Sequence, residues 1–182
     1  MKNTKKLIVA IAAMSILLCC AVGGTLAYLR DKTNTVTNTF TYGDINITLT
    51  ETERVYKMIP GTTLPKDPKV TVEEGSEACW LFIKVEKTNN PDTYLNYSID
   101  TTIWKALPNV DGVYYCEVSA VSVDTSYPVL KDNQVVVKEE ITKEQMTAIG
   151  TNYPTLSFTA YAVQKENVAD VTTAWSIANG NN

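Results

Sequence analysis

Apolar and polar residues alternate with a period of two along much of this chain. Ile45, Ile47 and Leu49 alternate with Asn46, Thr48 and Thr50, and Val70 and Val72 with Lys69 and Thr71. Side chains on a strand point to opposite faces in turn, so the pattern predicts strands with one face buried. Cys79 to Val85 (CWLFIKV) is instead a nearly continuous apolar run, which predicts a strand deep inside the domain. Further strands are predicted over Tyr94–Ile99, Val113–Val123, Gln134–Lys138 and Leu156–Gln164. Turn residues separate them at Pro60-Gly61, Glu74-Gly75, Asn89-Asn90-Pro91, Asp111-Gly112, Tyr127-Pro128, Asp132-Asn133 and Tyr153-Pro154. Many short strands with closely spaced turns predict an all-β fold, an antiparallel β-sandwich. One short helix is expected: Thr142 with Gln145 is a capping-box pair, Met146 and Ile149 share a face, and Gly150 ends it. Such a helix is expected to plug an open end of the sandwich. Val168 to Ile177 reads equally as a helical turn or a last strand.

The start of the chain follows another pattern. Lys2, Lys5 and Lys6 precede an apolar stretch from Leu7 to Val22 interrupted only by Ser15, and Gly23-Gly24 breaks it. Thr25 and Ala27 then place small residues at the −3 and −1 positions of a signal-peptidase site, so that the mature chain would begin at Tyr28. The competing reading is an uncleaved anchor, because Leu7 to Leu29 is long enough to cross a bilayer. The resulting organisation is a signal peptide over 1–27, an extended arm over 28–39, a sandwich domain over 40–178 and a flexible tail over 179–182.

Composition narrows the function. Of 182 residues 45% are apolar and 20% charged, as in one globular domain with an appended segment. The net charge is −4, and losing Lys2, Lys5 and Lys6 with the signal takes it to −7. An acidic chain without a basic face is a poor partner for nucleic acid. There is no histidine, which excludes a Ser-His-Asp triad, a Cys-His pair and an HExxH zinc helix. Asp92, Asp100, Asp111 and Asp124 fall near turns without ligand spacing, so no catalytic residue, metal or cofactor is expected. Cys79 and Cys116 are open to two readings: a disulfide closing a loop of about 37 residues, worth roughly 4 kcal/mol, or two buried thiols. Trp80, Phe82, Trp104, Phe158 and Trp175 are read as core. Tyr114 and Tyr115, adjacent on a strand, are expected to point one inward and one outward.

Several segments carry a resemblance. Gly24-Thr-Leu-Ala-Tyr-Leu-Arg-Asp31, Val36-Thr-Asn-Thr-Phe40 and Gly43-Asp-Ile-Asn-Ile47 resemble the start of Gram-positive proteins exported with a SipW-dependent type of signal peptide, the group containing the TasA and camelysin (CalY) family. Pro60-Gly61, Lys66-Asp-Pro-Lys-Val70, Cys79-Trp-Leu-Phe-Ile83 and Phe158-Thr-Ala-Tyr-Ala-Val-Gln164 are similar to segments of the family's body. The resemblance implies a jelly-roll-like sandwich, cleavage by a dedicated signal peptidase, and a role at the cell surface or in an extracellular matrix, where the best-known members form biofilm fibres. Some relatives are named as metallopeptidases.

The arm gives the fibre expectation a physical basis. Thr33, Thr35, Thr37 and Thr39 alternate with Asn34, Val36, Asn38 and Phe40, residues that favour extended backbone but offer few apolar side chains to hold the arm down. Val36, Thr37, Asn38, Thr39 and Phe40 are therefore candidates for a strand that adds to a neighbour's sheet edge. An intramolecular first strand is the alternative. The expected partners are a signal peptidase during export, then further copies or other matrix and surface proteins. Membrane contact is expected only through the signal segment. The expected function is an exported structural protein; the alternatives are a monomeric or anchored surface-binding module and, third, a peptidase.

Overall fold

The computed structural model describes residues 43–53 and 55–180. The signal segment, the cleavage residues Thr25, Ala27 and Tyr28, the arm with Val36, Thr37, Asn38 and Thr39, Phe40 and the last two residues lie outside the described residues. Ten strands are present among the described residues: β1 (Ile47–Thr50), β2 (Thr63–Pro65), β3 (Lys69–Val72), β4 (Cys79–Thr88), β5 (Leu95–Asn96), β6 (Lys105–Ala106), β7 (Val113–Val118), β8 (Thr125–Pro128), β9 (Gln134–Val137) and β10 (Thr155–Gln164). Three α-helices and one 3-10 turn (Lys131–Asn133) accompany them among the described residues: α1 (Pro91–Tyr94), α2 (Lys143–Ala148) and α3 (Val171–Ala178).

The strands form three sheets, ordered β1-β3-β8, β10-β4-β7-β6 and β2-β9-β5, with every ladder antiparallel. Val70 and Val72 of β3 meet Leu81, Ile83 and Val85 of β4 and Val135 of β9 in one apolar core, sealed by Trp104. The Trp104 indole N–H donates to the Pro128 carbonyl at 2.8 Å, so the ring's one polar atom is satisfied inside. The fold is the all-β antiparallel sandwich that the alternation predicts.

β4 explains its own composition. Cys79, Leu81, Ile83 and Val85 face the sandwich core, while Trp80 and Phe82 face the opposite side of the sheet, where α3 packs. Both faces are covered, so the strand reads as a run and not an alternation. Trp80 and Phe82 are thus in a different core from Val85. Phe82 is fully buried, with its ring 5.3 Å from that of Trp175 on α3. The two tyrosines of β7 split the same way, Tyr114 to the sandwich and Tyr115 to the helix side, but both are half-buried, which corrects the expectation of one outward ring.

The expected helix is present as α2, with both halves of its capping box: Gln145 N–H donates to Thr142 Oγ1 at 3.2 Å, and Thr142 N–H to Gln145 Oε1 at 2.8 Å. Of the two readings of Val168 to Ile177, the helical one holds, over Val171–Ala178. Asp170 caps it by accepting from Thr173 N–H at 2.8 Å, and Ala174 and Trp175 form its buried face. Tyr94–Ile99 is only partly strand. Asn89 and Asn90 take left-handed conformations and Pro91 starts α1, leaving Leu95–Asn96 to pair with β9 and Ile99 to bridge Leu130. The predicted Val113–Val123 strand stops at Val118, and a separate β8 pairs with β3.

Candidate functional site: the β10 edge and the Lys66 groove

β10 pairs along all ten residues with β4, from Thr155↔Thr88 to Gln164↔Cys79, and stands at the end of its sheet. Its sequence, TLSFTAYAVQ, contains no charge, proline or glycine. Leu156, Phe158, Ala160 and Ala162 face the sandwich core, and Tyr161 and Val163 face α3. A strand at a sheet edge has backbone donors and acceptors on one side without a ladder, and proteins commonly guard such an edge with lysine, proline or a bulge. None of those guards stands on β10.

Where β10 begins, a groove opens beside it. Glu51 follows β1 and Lys66 follows β2, and Asp67 brings them together by accepting from both the backbone N–H and the hydroxyl of Thr52, at 2.9 and 2.6 Å. Those two bonds hold the Asp67 carboxyl below the usual carboxylate range. Lys66 N–H donates to the Asn133 carbonyl at 2.9 Å, which fixes the lysine against β9. Its ammonium lies 2.6 Å from Glu51 Oε1 and 5.4 Å from the ring centres of both Tyr56 and Phe158. Only 9% of Lys66 is exposed, unusual for a lysine. The Tyr56 hydroxyl donates to the Glu53 carbonyl at 2.6 Å and lies 3.2 Å from Glu51 Oε1. Burial first, and the Glu51 charge second, push this phenol up to about 12, so it stays a donor.

On one side of Lys66 the groove is apolar, a cavity of about 340 Å³ walled by Val55, Met58, Leu64, Leu95, Val135 and Leu156. On the other it continues as a polar cleft of about 400 Å³ between Thr50 and Glu51 and the β10 residues Ser157 and Phe158. Neither was legible as a site, because the residues that bury Lys66 are ten and ninety-two positions away along the chain. The apolar stretch Val55 to Ile59, lying outside any predicted strand, was the only local signal.

The other candidate residues do not assemble into chemistry. Register places Cys79 opposite Val118 and Cys116 opposite Leu81, so the cysteines are diagonal neighbours on one face. They are two buried thiols, the second of the two readings. Burial pushes Cys79 up to about 11 and Cys116 up to about 12. Asp92 accepts from Lys87 at 2.8 Å and from Tyr97 at 3.0 Å, Asp100 accepts from Thr102, and Asp124 accepts from Glu74 N–H. Each organises a turn or strand end. Among the described residues no three of His, Cys, Asp and Glu gather as a cation would require. No described helix is long and apolar enough to cross a membrane.

An antiparallel sandwich with an unguarded edge strand is the class that these features define. Residues 2–87 match the family model described as camelysin metallo-endopeptidase. The similarity to that family is confined to this N-terminal part, just under half of the chain. No curated protein and no solved structure matches the chain. The donor set does not fit the metal that the family description implies: histidine is absent from the sequence, and the described carboxylates and thiols are dispersed.

Proposed function

We propose that the chain is an exported structural protein of the cell surface or extracellular matrix, a fibre subunit in which the arm over 28–39 of one copy pairs with the β10 edge of the next. The observation that supports this reading is β10: ten uncharged residues, laddered on one side among the described residues, with the polar cleft beside its first half. Main-chain bonds to such an edge supply affinity, and alternate side chains set register. The contact is head-to-tail, so it does not close and instead propagates. The role is non-catalytic, consistent with the missing histidines and the structural use of Asp92, Asp100 and Asp124.

Sedimentation and negative-stain imaging of the exported protein test the reading. The parent should polymerise, while deletion of residues 28–39 should leave a folded, soluble monomer. Thr159→Lys, which puts a charge on the exposed middle of β10, should weaken assembly without unfolding the domain. A parent that stays monomeric at high concentration, alone and on cells, overturns the fibre role. A deletion that unfolds the domain assigns the arm to its own sheet. A monomeric or anchored surface-binding module is the second reading, favoured by the Lys66 groove.

A further inference from the structure

We propose that the Lys66 groove binds an uncharged single-chain amphiphile, an acyl chain carrying a hydroxylated ester head such as a monoacylglycerol. Its apolar limb has the size of a small-molecule pocket, for which about 300–1,000 Å³ is usual. Val55, Met58, Leu64, Leu95, Val135 and Leu156 supply hydrocarbon contacts, while Val55 and Tyr153 at the rim are 89% and 66% exposed. An acyl chain laid in this limb covers apolar surface that ordered water cannot satisfy.

The inner end selects the head. Lys66 and Glu51 neutralise each other, so a carboxylate head meets Glu51 and an ammonium head meets Lys66, each at a cost. The net charge of −4 works against an anion as well. A lysine ammonium has three donors, of which one is used on Glu51, and a carboxylate accepts several bonds. A hydroxyl both accepts and donates, so it can bond the two partners at once without separating them. Beyond the pair, the cleft lined by Thr50, Glu51 and Ser157 offers further polar contacts to a glycerol-sized head. Most walls of the apolar limb lie outside β10, while the polar limb borders Ser157 and Phe158 of β10, so an arm seated there would compete with the head and not with the acyl chain.

Methyl NMR of the exported protein, held below the concentration at which it polymerises and titrated with decanoylglycerol below its micelle concentration, tests the site. Shifts should be confined to Val55, Met58, Leu64, Leu95, Val135 and Leu156, with affinity at least about ten-fold above that for decanoate or decylammonium. Leu64→Trp should fill the limb and lower affinity at least ten-fold; Leu95→Trp, on the half-buried strand β5, serves if the first variant does not fold. The pair Lys66→Met with Glu51→Gln removes both charges together and should abolish the preference for the neutral head. Unshifted methyls, unchanged affinity in both filled variants, or decanoate binding as tightly as decanoylglycerol each overturn the proposal.

Discussion

Gly112 shows how much one residue can be asked to do. Its φ of +71° is left-handed, and a Cβ there would stand 2.8 Å from the Val85 carbonyl oxygen, whose own N–H donates to the Gly112 carbonyl at 2.7 Å. A side chain meets both backbone strain and a backbone atom that cannot rotate away. Gly112→Ala should therefore cost about 1–3 kcal/mol, measured as a lower urea midpoint at unchanged slope. The cysteines make a second residue-level case. Unfolded thiols titrate near ~8.5, while the folded ones are held up at about 11 and 12 by burial, so the native state binds more protons in between. Their contribution is intact below the unfolded value and is lost as pH rises through the folded values. With reductant present, the parent should lose stability from about pH 8.5 upward more steeply than the Cys79→Ala, Cys116→Ala double variant, and iodoacetamide at pH 8 should label the thiols in urea but not in the native protein. Gly112 could be read from Asp111-Gly112 as a turn; its close approach to Val85, like the burial of Lys66, could not, because each is set by a residue far along the chain.

Among the elements, β4 carries the most. Phe82→Ala removes a ring packed on Trp175 and Tyr115 and should destabilise by about 3–5 kcal/mol. Lys84→Ala, whose side chain is partly exposed and pairs with Glu86 across 2.9 Å, should stay within about 0.5 kcal/mol of the parent. Thermal melts of both variants check the contrast, and equal melting would show that β4 is not central. The long strands were legible because four or more alternating or apolar residues define them. β2, β6 and β8 were not: they are two to four residues long, Pro65 and Pro128 sit within two of them, and their pairing is decided by β9, β7 and β3. The Val171–Ala178 helix was ambiguous for a related reason. Its β-branched residues suit a strand, and the buried face formed by Ala174 and Trp175 against the β4 side settles it.

For the whole molecule, export comes first. Thr25 and Ala27 are small enough for a signal-peptidase pocket, so N-terminal sequencing of exported material should begin at Tyr28 or within two residues of it, and Ala27→Arg should block processing. Recovery of Met1 on a membrane-bound product would instead support the anchor. The sandwich class and the acidic character were legible, since each rests on local pattern or composition. The groove was not, because it exists only where β1, β2, β9 and β10 converge.

The β4–β10 ladder also has a mechanical consequence. Ten residues of β10 are bonded to β4, which is itself bonded to β7. Antiparallel ladder bonds lie perpendicular to the strands. Tension applied along β10 therefore loads the whole row in shear at once, whereas tension applied across it opens the bonds one after another. A subunit pulled along this axis should resist far greater force than one pulled from the short β6 edge, and single-molecule stretching from cysteines placed at the two ends would measure that anisotropy.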